Sequence, residues 1–352
     1  MSTTVIHAKT GRSYDIFVGC GLLNAAGTLI RPLAKTARIA VVTDSNVERL
    51  YGGQLMKTLT AAGFDAVMHS FPAGEKSKNH ETLLGIYSFL AKNSFTRADL
   101  IVALGGGVVG DVAGFAAATY MRGMNFVQIP TTLLAQVDSS IGGKTAVDLV
   151  EGKNLVGAFW QPVGVICDPD ALKTLDRRVF TDGMAEAIKH TLIRDRALFD
   201  RLSGGAAVDE DFICRNIDIK RRVVERDERE SGERMLLNFG HTLGHAIEKV
   251  YNFETYTHGE AVAVGMVMIT RQSEKRGLTK PGTTALIENL LKKYGLPVSC
   301  PAPLKEIAAA SVNDKKHAGG GITLVLLHDI GDAFLHRVSD AEFSEFFEED
   351  AL

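Results

Sequence analysis

Three histidines and a glutamate in the second half of the chain are candidate metal ligands, and two of the histidines have the spacing of a ligand pair. His241 and His245 stand four positions apart, so a helix would place both imidazoles on one face. Catalytic zinc sites commonly use three nitrogen or oxygen ligands and leave one position open. The spacing therefore nominates His241 and His245 as a ligand pair, with Glu186 or His258 as the third ligand. The alternative is a set of surface or capping histidines.

A glycine-rich run has the pattern of a phosphate-binding loop. The letters GGGVVG at 105–110 satisfy G-x-G-x-x-G and follow a strand predicted at 100–104. Glycines let the backbone approach a phosphate, and the helix that begins near Asp111 would point its N-terminal N–H groups at it. The alternative is a tight turn without a ligand.

One part of the dinucleotide fingerprint is missing. An acidic residue about 20 positions later should hold the ribose, but residues 112–137 contain neither Asp nor Glu. Asp44, at the end of a strand predicted at 38–43, is the substitute candidate.

A second glycine-rich run ends in Gly143-Lys144-Thr145 and resembles the end of a Walker A loop. The first glycine of that motif would fall on Asp138, so a P-loop NTPase is excluded. Lys144 still suits a phosphate contact, since it is a cation in a flexible polar context; the alternative is a solvated loop lysine.

These residues need two kinds of scaffold. Strand-like and helix-like segments alternate up to about residue 174, which is typical of a parallel α/β sheet. Beyond that, helices are predicted at 184–193, 212–226, 241–250, 260–275 and 283–294, and only 322–327 looks clearly extended. A boundary is expected within 172–182.

Bulk composition excludes several classes of protein. The chain has 352 residues, of which 45% are hydrophobic, and a formal net charge of −3. These values fit a two-domain globular protein with no general attraction for nucleic acid or anionic membranes. Neither a secretory signal nor a membrane span is apparent. Four scattered cysteines without a C-x-x-C motif favour a reducing cytoplasm.

Taken together, the segments resemble the 3-dehydroquinate synthase family of the sugar-phosphate cyclase group. The matching runs cover essentially the whole chain: GGGVVGD at 105–111, IPTTLLAQVDSSIGGKT at 129–145, GKNLVGAFWQP at 152–162, GMAEAIK at 183–189 and LNFGHTLGHAIE at 237–248.

The resemblance implies a Rossmann-like α/β domain at 1–175, a mainly helical domain at 176–352, and an active site in the cleft between them. It implies NAD, one zinc or cobalt ion per chain, and a homodimer. The implied reaction converts 3-deoxy-D-arabino-heptulosonate 7-phosphate to 3-dehydroquinate and phosphate in the shikimate pathway. Its steps are transient oxidation by NAD, phosphate elimination, reduction and intramolecular aldol closure.

The resemblance also implies the site residues. The metal ligands are Glu186, His241 and His258, which moves His245 to the substrate side. The NAD-binding residues are Asp44, Ala73, Gly74, Glu75, Lys76, Ser77, Lys78, Gly106, Gly107, Val108, Val109, Gly110, Asp111, Thr131, Thr132, Lys144, Lys153, Ala171, Leu172, Lys173 and Thr174. The catalytic and substrate-binding residues are Asp138, Lys144, Asn154, Lys189, Lys220, Arg234, Asn238, His245 and Lys316 (preferred to Lys315), with Arg122 reaching across the dimer interface.

Three other functions compete with this one. A related cyclase would act on a sedoheptulose or glucose phosphate, and Lys220, Arg234 and Asn238 favour the dehydroquinate type. A metal-dependent polyol dehydrogenase would not need so many substrate-binding cations. An NAD-binding module without activity would be expected to have lost part of the site.

Overall fold

The computed structural model describes residues 3–315 and 321–348, without the side chains of 312–315. Its internal contacts divide the chain into two units. The first comprises the chain up to Asp176 together with Val208–Arg229, and the second comprises Arg177–Ala207 and the chain from Glu230 onwards.

The first unit contains a seven-stranded sheet in the order β1-β2-β9-β6-β5-β3-β4, in which only the β1–β2 pair is antiparallel. A separate antiparallel hairpin consists of β7 and β8. The strands are β1 Thr4–Ala8, β2 Tyr14–Val18, β3 Arg38–Asp44, β4 Asp65–Phe71, β5 Leu100–Gly105, β6 Asn125–Pro130, β7 Lys144–Leu149, β8 Gly152–Phe159 and β9 Gly164–Cys167.

Helices cover both faces of this sheet. They are α1 Ala26–Ile30, α2 Ser45–Val47, α3 Gly53–Ala61, α4 His80–Lys92 and α5 Gly107–Thr119. Along β3, Ile39 and Val41 pack into the core that contains α1 and α3, whereas Ala40 and Val42 pack into the core that contains α4 and α5. Successive side chains of a strand point to opposite faces, so a strand buried on both faces is apolar throughout. This explains the continuous apolar runs of β3 and β5.

The second unit is mainly helical. Its helices are α6 Arg177–Arg194, α7 Arg196–Ser203, α9 His241–Val250, α10 His258–Lys275, α11 Thr283–Lys293, α12 Leu304–Lys315 and α13 Asp340–Phe346. An antiparallel hairpin of β10 Ile322–Asp329 and β11 Asp332–Val338 packs on α6 and α10. Both helices are buried over most of their circumference and form the centre of this unit.

The helix between α7 and α9, α8 Glu210–Arg226, groups with the first unit. The long segment of the first unit ends at Asp176, and the domain boundary at 175/176 stays a prediction. The apolar face of α8, which includes Phe212 and Ile217, packs on β1 and β2. Glu225 and Glu228 also accept hydrogen bonds from the backbone N–H groups of Lys9 and Gly11, at 2.6 and 2.8 Å.

Within the described residues, no helix combines the length and the apolarity needed to cross a bilayer.

Candidate active site

Glu186, His241 and His258 come together in the second unit. Glu186 lies within α6, while His241 and His258 are the first residues of α9 and α10. Nε2 of His241 lies 3.2 Å from Oε1 of Glu186, and Nε2 of His258 lies 3.4 Å from the same oxygen. One donor atom from each residue lies within 4.8 Å of the other two. A carboxylate and two imidazoles form a ligand set that zinc accepts.

The hydrogen bonding of the cluster fits a cation. Both carboxylate oxygens of Glu186 are buried; Oε2 contacts the Lys189 ammonium, and Oε1 faces the two imidazoles. Nδ1 of His241 lies 3.2 Å from O of Phe239, and Nδ1 of His258 lies 3.5 Å from Oε2 of Glu248. Because both partners are acceptors, each imidazole is expected to carry hydrogen on Nδ1 and to turn its Nε2 lone pair toward Glu186.

The local charges keep Glu186 ionised. Its Oε2 contacts Nζ of Lys189, and both side chains are only 2% exposed. Burial alone would raise the pKa of Glu186, but Lys189 and His241 outweigh it and hold that pKa well below its ordinary value. The carboxylate is therefore available as an anionic ligand at neutral pH.

Several polar contacts fix the start of α10, and with it His258. Thr257 caps the helix and forms a reciprocal capping box with Glu260. Arg178 donates to both oxygens of Glu260, at 2.9 and 2.8 Å. Asp182 accepts a hydrogen bond at 2.6 Å from the N–H of the residue after His258. The first turn of α10 is thus held from two sides.

Glycines allow α9 and α10 to pack at very short range. A Cβ at Gly265 would lie 2.1 Å from the carbonyl oxygen of Gly240, and one at Gly244 would lie 3.1 Å from Cα of Val262. The two helices that carry the histidines can approach this closely only without side chains at these positions.

His245 lies beside this cluster and is exposed. Its ring centroid is 5.5 Å from that of His241 and 5.9 Å from that of His258. His245, Glu248 and His258 form a second group whose donor atoms lie within 4.8 Å of one another. Glu186, His241 and His258, the set that the resemblance implies, meet the same distance criterion.

The glycine-rich run at 105–110 spans the end of β5 and the start of α5. Gly106 precedes the first turn of α5 and has no side chain with which to cap it. A Cβ at Gly106 would lie 3.0 Å from Cγ2 of Thr132, and one at Gly107 would lie 3.3 Å from Oγ of Ser139. The N–H of Thr131 donates to O of Gly105 at 3.0 Å, which holds the segment after β6 against the loop. The arrangement suits a phosphate at the N-terminus of a helix.

Lys78 forms a buried ion pair with Asp111, which lies on α5 directly after the glycine-rich run. Nζ of Lys78 lies 2.6 Å from Oδ2 of Asp111 and donates to Oδ1 of Asn154 at 2.5 Å. Lys78 is 6% exposed. Burial favours the neutral amine, but Asp111 and Glu75 outweigh it and raise the pKa of Lys78, which remains a cation.

Asp44 and Thr174, which the resemblance assigns to NAD, also form hydrogen bonds within the protein. Oδ1 of Asp44 accepts from the N–H groups of Asn46 and Val47 at 2.8 and 3.0 Å, so Asp44 caps α2. It ends β3, the parallel neighbour of β5, and therefore lies on the same sheet edge as the glycine loop. Thr174 lies 2.5 Å from the hydroxyl of Tyr51.

The remaining implied cofactor residues lie in separate stretches of the first unit. Residues 73–78 follow β4 and include a short 3-10 helix at Glu75–Ser77, and residues 106–111 form the glycine loop and the first turns of α5. Thr131 and Thr132 follow β6, while Lys144 lies on β7 and Lys153 on β8. Residues 171–174 belong to the 3-10 helix Pro169–Thr174.

The implied substrate cations divide between the two units. In the first, Lys220 on α8 contacts the carboxylate of Asp138 and donates to the carbonyl oxygen of Asp138 at 2.8 Å. Lys144 begins β7, and Arg122 ends an exposed turn at Tyr120–Arg122. In the second, Lys189 contacts Glu186, and the 3-10 helix Glu233–Asn238 carries Arg234, which is fully buried, and the amide Asn238, which is half-buried. Lys316 lies outside the described residues.

Family models match most of the chain. A model of the 3-dehydroquinate synthase N-terminal domain matches residues 68–182, and one of the C-terminal domain matches 183–317. A 3-dehydroquinate synthase of Clostridium acetobutylicum is 52% identical over 342 residues, which cover 94% of this chain and 95% of the relative. One of Streptococcus sanguinis is 48% identical, with coverage of 95% and 96%.

The chain belongs to the 3-dehydroquinate synthase family.

Solved structures show the same fold in other sugar-phosphate cyclases. ValA, a 2-epi-5-epi-valiolone synthase of Streptomyces hygroscopicus with NAD⁺ and Zn²⁺ bound, aligns with a TM-score of 0.86 at 29% identity and covers 97% of each chain. A 2-deoxy-scyllo-inosose synthase complexed with carbaglucose-6-phosphate, NAD⁺ and Co²⁺ also has a TM-score of 0.86, at 27% identity, and covers 98% of this chain and 99% of its own.

Two carboxylates near the implied 3-dehydroquinate synthase residues escaped the sequence reasoning. Glu248 is buried beside His258, and Asp148 hydrogen-bonds to the backbone of Asn154. A signal existed for Glu248, because it follows His241 by seven positions and His245 by three on the same helical face. Asp148 gives no comparable signal, since its role depends on an irregular hairpin.

Proposed function

We propose that this member of the 3-dehydroquinate synthase family converts 3-deoxy-D-arabino-heptulosonate 7-phosphate to 3-dehydroquinate and inorganic phosphate. The observation that carries the proposal is the convergence of two imidazole Nε2 atoms on the buried carboxylate of Glu186. Identities of 52% and 48% to named 3-dehydroquinate synthases favour this substrate over those of cyclases at 29% and 27%.

The residues present fit NAD and one divalent cation. Glu186, His241 and His258 would hold the cation, and the loop at Gly106 and Gly107 would receive the pyrophosphate. When bound, NAD supplies a hydride acceptor and donor, and the cation supplies Lewis-acid polarisation at the alcohol that is oxidised. The remaining groups must bind and orient a substrate with two anionic groups.

Fixed cations supply that binding despite the negative net charge. Lys189 and Arg234 are buried in the second unit, and Lys220 is buried in the first. A buried cation that is already held in place loses little side-chain entropy on binding an anion, and it interacts strongly at low dielectric. We assign these residues to the substrate carboxylate and phosphate, together with Lys144.

Two groups are placed to move or hold protons. His245 is exposed and lies beside His241 and His258, and imidazole is the side chain that most often serves as a general acid or base. Asp138, which contacts Lys220, would orient that cation and accept a hydrogen bond from a substrate hydroxyl. Holding all groups in fixed positions would supply much of the acceleration.

The decisive experiment supplies the heptulosonate phosphate with catalytic NAD and follows dehydroquinate, phosphate and NADH. We expect equal amounts of dehydroquinate and phosphate and no accumulated NADH. A chelator should abolish turnover, and added zinc or cobalt should restore it. Net NADH formation without phosphate release would identify a polyol dehydrogenase instead. Turnover of only a sedoheptulose or glucose phosphate would identify another cyclase.

A homodimer is proposed for the same chain. The outer face of β8 exposes Leu155 and Phe159 at 61% and 44%, and the nearby turn exposes Met121 at 49%. Trp160, which follows β8, contacts the segment between that turn and β6, because its indole donates to O of Met124 at 2.9 Å. A second copy covering this apolar surface would place Arg122 at the interface. Analytical ultracentrifugation tests the proposal: the wild type should sediment as a dimer and the Phe159→Glu variant as a monomer. A monomeric wild type would refute the homodimer.

The proposed location is the cytoplasm, because that reducing compartment keeps cysteines as free thiols. All four cysteines are free thiols, and the buried Cys167 has a pKa raised by burial, which makes it unreactive.

A further inference from the structure

The β7–β8 hairpin is irregular at one position. Val147 pairs with Val156, and Leu149 pairs with Gly152. Asp148 alone on β7 therefore lies opposite three residues of β8, namely Lys153, Asn154 and Leu155. Bulges of this kind redirect side chains and occur frequently beside active sites. Lys153 and Asn154, which the family resemblance assigns to NAD and substrate, both lie in this bulge.

The carboxylate of Asp148 closes the bulge. Its Oδ1 accepts the N–H of Asn154 at 2.7 Å. Extra residues in a bulge have no ladder partner, so this side-chain acceptor replaces the missing backbone carbonyl. The N–H of Asp148 donates to O of Lys78 at 2.8 Å, which ties the same point of the hairpin to the segment before α4.

Asn154 has a backbone that requires such support. Its φ is 57°, in the left-handed region, which asparagine adopts more readily than other residues with a Cβ but which still costs more than the right-handed region, so the contacts around it help to select this conformation. Its side-chain Oδ1 accepts from Nζ of Lys78 at 2.5 Å, and Lys78 pairs with Asp111 at the base of the glycine loop. Asp148 therefore contacts both Asn154, which the resemblance assigns to substrate, and Lys78, which it assigns to NAD, and these two residues are hydrogen-bonded to each other.

We propose that Asp148 is a positioning residue, which holds Asn154 in its left-handed conformation and thereby orients both the Asn154 amide and the Lys78 ammonium. This inference rests on the proposed function, because it assumes that Asn154 meets substrate and Lys78 meets NAD. Asp148 acts as a hydrogen-bond acceptor, and its negative charge is secondary.

A double-mutant cycle tests whether Asp148 acts through Asn154. The variants are Asp148→Ala, Asn154→Ala and both together. Asp148→Ala should lower kcat/KM by about tenfold to a hundredfold, the cost of misplacing a group by about 1 Å. In the Asn154→Ala background, the same change should have an effect of less than about threefold, because its target is already gone. Additive losses would overturn the proposal.

Two further variants separate positioning from charge and from general stability. Asp148→Asn keeps the Oδ1 acceptor and should retain kcat/KM within about threefold of wild type. A loss equal to that of Asp148→Ala would show that the charge matters, and would contradict the proposal. Asp65→Ala removes an exposed aspartate of the same unit and should leave kcat/KM unchanged.

Direct NAD titration supplies a readout that does not require turnover. Asp148→Ala should raise the NAD Kd several-fold, and Asp148→Asn should not, because only the first releases the bulge that supports Lys78. An unchanged Kd in Asp148→Ala would overturn the link to Lys78. Wild-type protein that binds NAD but does not convert the heptulosonate phosphate would refute the proposed function, while the titration would still decide the role of Asp148.

Discussion

The cluster of Glu186, His241 and His258 in the second unit and the glycine loop in the first are built by opposite means. Three side chains from α6, α9 and α10 create the cluster, and polar contacts hold each of them. Backbone creates the loop, through Gly106, Gly107 and the uncapped first turn of α5. One site depends on what side chains contribute, and the other on the space left where side chains are absent.

This difference predicts how each site fails. Loss of one side chain from the cluster removes a ligand or leaves a buried charge without its counter-ion, both of which are costly. Addition of one methyl group to the loop shifts neighbours by a few tenths of an ångström and crowds a phosphate. Substitutions in the cluster should therefore have large effects on metal content, and substitutions in the loop should have smaller effects confined to NAD.

The largest effect is expected from Glu186→Gln. The variant keeps the size of the side chain but loses the anionic ligand and the partner of Lys189. It should purify without stoichiometric metal and lose about 4 kcal/mol of metal-dependent activation, or about a thousandfold in kcat/KM. Metal analysis and steady-state kinetics measure both quantities. Glu288→Gln, which breaks a surface pair with Arg271, is the control and should change neither. One metal ion per chain in Glu186→Gln would remove the carboxylate from the ligand set.

A smaller effect is expected from Glu248→Gln. Oε2 of Glu248 lies 3.5 Å from Nδ1 of His258, and a carboxylate in this position orients a ligand imidazole and makes it more basic. The metal Kd should rise by about 10- to 100-fold, as measured by competition with a chromogenic chelator. Glu254→Gln, an exposed residue beyond the end of α9, should leave the Kd unchanged. A Kd within error of wild type would mean that His258 needs no such partner.

The contrast between side-chain packing and backbone also explains how much of the fold and of the candidate site the sequence alone could predict. Strand–helix alternation indicated the α/β sheet, and helical periodicity indicated α6, α8, α9, α10 and α11. Spacing nominated His241 with His245, because it detects residues of one helix. It could not rank Glu186 and His258, since their contact depends on the packing of three helices; resemblance named them.

The features that periodicity missed depend on distant partners. The β7–β8 hairpin was not predicted, because its strands border glycines and a bulge. The grouping of α8 with the first unit was missed too, because it depends on contacts with β1 and β2, which lie about two hundred residues earlier. Short elements such as α7 and α13 carry too few residues for a periodic signal.

The smallest effect is expected from Gly106→Ala. The φ of Gly106 is −75°, which alanine adopts without strain, so only the added methyl group matters. That methyl would lie 3.0 Å from Cγ2 of Thr132 and would intrude on the approach to the helix N-terminus. The NAD Kd should rise about tenfold, or about 1.4 kcal/mol, with metal content unchanged.

Gly53→Ala is the matched control for this last prediction. Gly53 begins α3 with helical φ and ψ, and a Cβ there would meet nothing within 4 Å. Alanine should leave NAD affinity unchanged and stabilise the fold by about 0.4–1 kcal/mol, by restricting the unfolded chain. If Gly106→Ala and Gly53→Ala bind NAD equally well, the backbone at Gly106 does not approach the phosphate. The nucleotide site would then depend on side chains, as the cluster of Glu186, His241 and His258 does.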